Sequence, residues 1–256
     1  MEDFSWWSFL LIFVRITSFM VVVPLFSGQQ VPNTFKIGIS FVLTVLCFGV
    51  IDDPIENPTL GILTLLIIKE FMIGIFLGFI PKILLYAVQI AGSMLDIPIG
   101  FSMATLFDPS SGINVQLSGH FKNILAMLLL LATDGHHLLI QGILISFDWV
   151  SLGMFVPSFT DGSLSTLLIE NVKQMFIIGF MMAAPIIGIM FLMDIALGIM
   201  AKTVPQMNIF AVFPPIKLLL HFAVYIIILP SFFYLLKVLF ETMFESMHAI
   251  LKILGG

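Results

Sequence analysis

The feature that most constrains this chain is a series of long apolar runs with almost no charge inside them. Phe4–Phe26 carries only Arg15, Gln174–Met200 carries only Asp194, and Leu218–Leu236 carries no Asp, Glu, Lys or Arg. About 20 apolar residues is the length that crosses the hydrocarbon core of a bilayer as a helix. In lipid every backbone N–H and C=O must be satisfied within such a helix or a closed barrel. The whole chain agrees: 60% of its 256 residues are apolar and 10% charged, with a mean hydropathy of +1.16. A soluble domain has about 25% charged residues, so a soluble globule and a disordered chain are both excluded. The sequence predicts an all-α polytopic membrane protein with about six long apolar helices, several of them broken.

The first run is Phe4–Phe26, followed by the polar turn Ser27-Gly28-Gln29-Gln30. The second, Ile37–Ile51, is short for a span and stops at Asp52-Asp53-Pro54. The third runs from Leu60 to Ile80 with Lys69-Glu70 in its middle and meets Pro81-Lys82. Ile83–Leu95 is too short to span and reads as a continuation or half-helix. Asn123–Phe147 is the fourth, interrupted by Asp134-Gly135-His136-His137. Gln174–Met200 and Leu218–Leu236 are the fifth and sixth, with Pro185 and Pro230 inside them. The tail, residues 237–256, alternates apolar residues with Glu241, Glu245, His248 and Lys252, the pattern of an amphipathic helix on a surface or partner. The chain reads as one membrane domain, 1–256, with 1–122 and 123–256 as approximate halves.

Residues 96–122 have a different texture. Pro98, Gly100, Asp108-Pro109-Ser110-Ser111-Gly112 and Gly119-His120 alternate with Phe101, Met103, Leu106 and Phe107. The stretch is too broken for a spanning helix and too apolar for a solvated linker. Irregular backbone at membrane depth is tolerated only when buried in protein or lining a cavity.

Several chemistries are excluded. The net charge is -5 and no basic cluster exists, which argues against nucleic acid. Cys47 stands alone, without a disulfide or metal partner. The start Met1-Glu2-Asp3 is acidic where a signal peptide is basic, so the first run is expected to remain as a helix. His136 and His137 are adjacent, about 100° apart on a helix, with no further ligand at i+4, which predicts no metal. No Gly-x-Ser-x-Gly elbow, H-E-x-x-H helix or phosphate-binding loop is present, so no catalytic residue and no cofactor are expected.

Charge inside the apolar runs needs protein or water around it, because a lone charge at mid-bilayer costs about 2.5–3.5 kcal/mol. The residues concerned are Arg15, Lys69, Glu70, Asp96, Asp134 and Asp194. Glu70, Gly74 and Gly78 lie at i, i+4 and i+8, one stripe of a helix, and Gly74–Gly78 is a GxxxG pair that lets another backbone approach. Asp194, Gly198 and Lys202 repeat the spacing. Gly92, Asp96 and Gly100 would do so if Pro98 leaves the helix intact. Two readings follow: polar groups neutralised between packed helices, or a proton path through a secondary transporter for a small solute, with Asp96 and Asp194 as its coupling sites. The second needs inverted repeats, and the chain has no clear internal symmetry. Lysines in the connections at Lys36, Lys82–Lys122 and Lys202–Lys217 place those connections in the cytoplasm and the N-terminus outside.

The ordered set of local motifs carries a resemblance. Arg15 with Pro24, Pro32 with Lys36-Ile37, Lys69-Glu70 with Gly74 and Gly78-Phe79, Ala91-Gly92, and Gly100-Phe101-Ser102 leading to Asp108-Pro109 come first. Gly135-His136, Ala184-Pro185, Asp194 with Gly198, Pro205-Gln206-Met207-Asn208-Ile209-Phe210 and Pro215-Ile216-Lys217 follow. Over nearly its whole length the chain resembles the FliR family of flagellar export-gate proteins, shared in kind with virulence type III secretion. It departs from the family pattern at Lys202, where arginine is usual, and at Phe213-Pro214, where a glycine is usual.

The resemblance implies a structural pore subunit without catalysis, in the bacterial cytoplasmic (inner) membrane at the flagellar basal body. Its implied partners are FliP-like and FliQ-like subunits, with FlhB and FlhA. The substrates in transit are unfolded flagellar subunits. It also implies a plug in the pore, carried here by Gly100–Gly119 with Phe101, Phe107 and Asp108-Pro109 nearest the family pattern, and a helical cone raised out of the bilayer plane. Met103, Leu106 and Gly112 lie in the same segment.

Overall fold

A computed structural model describes the chain apart from residues 1–4, 29–30, 52, 54, 56–57, 101–115, 155–161, 205–208 and 256; of 209–211 it describes the backbone alone. Among the described residues the fold is all helical: α1 (Trp6–Val22), α2 (Asn33–Phe48), α3 (Leu60–Ile99), α4 (Leu117–Ala132), α5 (Gly135–Trp149), α6 (Ser163–Thr203) and α7 (Ile209–Gly255). Three of these, α3, α6 and α7, are long and apolar enough to cross a membrane, and α4 with α5 forms a pair bent by 71° that could act as one broken span. The chain is a polytopic membrane protein.

The helix count differs from the sequence expectation in instructive ways. Ile83–Leu95 is part of α3, which runs for 40 residues through Pro81 and Pro98. A proline removes one backbone donor, but Leu77, Ile80 and Leu84 around Pro81 are fully buried and hold the helix together. Pro98 falls in the last turn. The helix ends at Gly100, whose φ of +98° favours glycine. The polar stretch before the fifth run is helical from Ser163 onward, so α6 reaches 41 residues. Its exposed face there carries the Glu170–Lys173 pair at 3.1 Å. α1 and α2, at 17 and 16 residues, are shorter than a full span.

The described chain forms two compact units that cut across the division at residue 122. The first takes Met1–Leu84, Leu130–Lys173 and Phe240–Gly256; the second takes Leu85–Leu129 and Gln174–Leu239. In the first unit α1 packs on α2, with Phe9 edge-on to Phe41 and Phe48 at 5.9 and 5.8 Å. The tail was expected to lie on a surface or a partner. It is amphipathic, with Met243, Met247, Ile250, Leu251 and Leu254 buried at helical spacing, but the apolar face is covered by its own first unit. Met247 lies against Gly142 and the His248 ring meets Trp149 at 5.3 Å. Periodicity announces that a face is covered and is silent about what covers it.

In the second unit α3 meets α4 and α6 at glycines. A Cβ on Gly92 would overlap the backbone of Gly119, and one on Gly179 would stand 2.9 Å from the Ala87 carbonyl.

Candidate functional site

The charged residues of the apolar runs gather into separate places. The first unit holds a knot around Arg15, which is fully buried on α1. Its Nε donates to Glu70 Oε2 on α3. Its Nη1 donates to the Ser146 carbonyl at 2.9 Å and the Ser146 hydroxyl at 3.1 Å, and its Nη2 to the Val150 carbonyl at 2.8 Å. The guanidinium also lies 4.2 Å from the centre of the Phe147 ring. Lys69, next to Glu70, pairs with Glu70 Oε1 at 2.8 Å and donates to the carbonyls of Ser151, Leu152 and Met154 at 2.9, 2.7 and 3.1 Å. Asp53 Oδ2 accepts from the Leu152 N–H at 2.7 Å.

The logic of this knot is helix termination. The last carbonyls of a helix have no partner inside it and carry partial negative charge. Ser146 and Val150 are at that end of α5, and the chain then turns through Ser151–Met154. Arg15 supplies a donor to the Val150 carbonyl and a second one to the Ser146 carbonyl, which also accepts the Val150 N–H at 3.0 Å, and Lys69 supplies donors to the carbonyls of the turn. Arg15 suits the place because its planar fork reaches three directions at once. Glu70 and Asp53 balance the two cations. Breaking one partner of such a buried set costs about 3–5 kcal/mol.

Gly74 and Gly78 make the knot possible. A Cβ on Gly74 would run into Ser18 Oγ and the Arg15 carbonyl, and one on Gly78 would stand 3.0 Å from the Phe19 carbonyl. The glycine stripe is therefore the crossing of α3 with α1 of the same chain.

In the second unit Asp96 is buried on α3, and its Oδ1 accepts from the Ser118 N–H at 3.2 Å, capping the start of α4. Gln89 and Gln116 join the same two strands of chain at 3.1 Å. The crossing of Gly92 on Gly119 completes a clamp between the last turns of α3 and the first turn of α4. Gly100 is outside this stripe, because it ends the helix. Asp194 on α6 pairs with Lys217 on α7 and is half exposed. Gly198 has no atom within 4 Å of where a Cβ would stand, and Lys202 is exposed in the last turn of α6, so within this chain that third stripe is not a close-packing face.

Of the plug residues, Gly100 is placed and Phe101, Met103, Leu106, Phe107, Asp108, Pro109 and Gly112 lie outside the described residues. The metal reading needs one correction. Asp134, His136 and His137 do bring ligand atoms within 4.8 Å of one another, because Asp134 takes a left-handed φ of 56° and the helix restarts at Gly135. Asp134 and His137 are largely exposed and interact at 3.5 Å as neighbours in the first turn of α5.

Sequence reasoning missed the carbonyl acceptors from Ser146 to Met154, since carbonyls carry no side-chain signal. It also missed Gly119 and Gly179 as crossing points, which stand outside any small-xxx-small pair with an acid.

Comparison with known proteins adds a second line. The model of the family described as bacterial export proteins, family 1, matches residues 6–243. A protein of Bacillus subtilis (strain 168) named flagellar biosynthetic protein FliR is 40% identical, over 97% of this chain and 96% of its own. Proteins of the same name from Pectobacterium carotovorum subsp. carotovorum and Escherichia coli (strain K12) are 31% and 27% identical, over 95% and 93% of this chain and 92% and 90% of theirs.

Proposed function

This chain belongs to the bacterial export proteins, family 1, among the FliR proteins of flagellar biosynthesis, and on that premise we propose that it is a structural subunit of the flagellar type III export gate. In this role it sits in the inner membrane at the basal body. It assembles with FliP-like and FliQ-like subunits, in association with FlhB and FlhA, and passes unfolded flagellar subunits outward.

One observation carries the reading: the apolar surface is too long for lipid alone to cover. On α6 the exposed apolar side chains run from Ile169 through Phe176, Phe180, Phe191 and Leu192 to Ile199. At 1.5 Å per residue that is about 45 Å of helix, against about 30 Å of hydrocarbon. In α7 only 17% of the most apolar window is buried within the chain. Coverage of the remainder by other protein suits a subunit raised into an assembly.

Gly100–Gly119 acts as the plug. A passage wide enough for an unfolded chain would leak ions when idle, and an apolar constriction closes it by excluding water. The α3–α4 clamp supports this by joining the two ends of the segment through Asp96, Ser118, Gly92 and Gly119. The test is purification of the tagged chain from its own membrane. The expected result is recovery with small polytopic partners in a complex that survives detergent. Recovery as a monodisperse single chain would contradict the proposal.

A further inference from the structure

The second unit holds a group of buried polar side chains that the clamp leaves over. Asp96, Lys122 and His221 are 3%, 2% and 4% exposed. They come from α3, α4 and α7, and Tyr225 stands one turn beyond His221. Lys122 Nζ lies 5.1 Å from the centre of the Tyr225 ring, and the His221 and Tyr225 rings stack at 5.9 Å. Asp96 is near enough to act on the Lys122 charge, and Lys122 in turn on His221. Yet Asp96 Oδ2, Lys122 Nζ, His221 Nδ1 and Tyr225 Oη are all sealed from the surface and have no hydrogen-bond partner among the described residues.

Four such atoms in one place are unusual, because buried polar groups are almost always hydrogen-bonded. The Arg15 knot shows the contrast within the same chain, since each of its guanidinium nitrogens meets a direct acceptor. The second group is also close to electroneutral, with one acid, one lysine, one imidazole and one phenol. A bound cation would face Lys122, and a bound anion would face Asp96. A neutral ligand with both donors and acceptors suits all four, and water is the smallest of these. Buried waters typically make about three hydrogen bonds to groups of this kind.

We propose that α3, α4 and α7 of the second unit enclose an internal water site, in which water bridges Asp96 Oδ2 and Lys122 Nζ and reaches His221 and Tyr225. The lysine and the acid are then joined through water, and the group is hydrated within otherwise apolar helices. This site is independent of the export-gate role and stands or falls separately from it.

X-ray hydroxyl-radical footprinting of the membrane-reconstituted protein tests it, because radicals made on bound water label the side chains next to that water. His221 and Phe147 are both buried and both lie beside a cation, but Phe147 belongs to the directly bonded knot. After correction for intrinsic reactivity, His221 should be labelled at least tenfold faster than Phe147. The double variant Asp96→Leu with Lys122→Met should bring the two rates together. Equal rates in the wild type, or undiminished His221 labelling in the double variant, would overturn the site. Where the double variant does not assemble, exchange of the His221 ring C2 hydrogen in deuterated water reads the same contact in the wild type. After correction for ring basicity, its half-life should fall within threefold of that of the exposed His120; corrected exchange more than tenfold slower means the site is dry.

Discussion

At the scale of single residues, the charges in the apolar runs are not equivalent, and their surroundings rank them. Arg15 and Glu70 are fully buried and tied to each other and to the end of α5. Asp194 and Lys217 form a partly exposed pair. Removing one partner of a buried pair leaves the other uncompensated, at about 3–5 kcal/mol, whereas exposed pairs contribute about 0–1 kcal/mol. Arg15→Ala and Glu70→Ala should therefore lower the yield of folded protein severely, and Asp194→Ala should have little effect on it. Glu70→Gln should fall between, because the amide keeps an acceptor for Arg15 but leaves two cations against Asp53 alone. Size-exclusion yield and melting temperature in a common detergent would check the order; equal loss from Gln and Ala at position 70 would show that charge alone matters. That these acids need protein around them was legible from the sequence, since lipid does not tolerate them. Their partners were not, because Arg15 and Glu70 are 55 positions apart and the other acceptors are carbonyls.

At the scale of elements, glycines fix where helices cross. The Gly74–Gly78 spacing was readable as a close-packing stripe, and the structure supplies its partner, α1. Gly74→Leu should therefore disrupt the chain's own first unit, before any other subunit is involved. The same change at Gly198 meets no neighbour and should be tolerated by the isolated chain. Limited proteolysis in detergent distinguishes the two: rapid cleavage is expected for Gly74→Leu and wild-type resistance for Gly198→Leu. Identical resistance would mean that α1 and α3 separate without consequence. The tail makes a related point. Its apolar periodicity was plain, but a helix of 47 residues that returns its end to the first unit was not, because hydropathy cannot tell lipid from protein. Truncation after Leu239 removes Met243, Met247, Ile250 and Leu254 from that core, and it should cost stability comparable to several large-to-small core changes, each about 2–5 kcal/mol. Loss of the folded peak on size exclusion would agree. A truncated chain that melts with the wild type would not.

At the scale of the whole molecule, three helices of 40 to 47 residues are longer than a bilayer's hydrocarbon core and carry exposed apolar side chains. Sequence alone gave the membrane class from the apolar runs and the family from the order of motifs. It could not divide the chain into its two interleaved units, since each draws segments from distant parts of the chain. In the proposed gate, shortening the segment Gly100–Gly119 should preserve assembly and raise ion conductance across the membrane several-fold, as measured in cells expressing wild-type and shortened forms. A shortened form that assembles and leaks no more than wild type would remove the plug. The central claim is that this chain is required for flagellar protein export, and the most direct measurement is flagellin secreted by a strain lacking its gene. The account predicts loss of secreted flagellin to background, unaltered general secretion, and recovery when the gene is restored. Flagellin secreted at the wild-type rate from the deletion strain would contradict it.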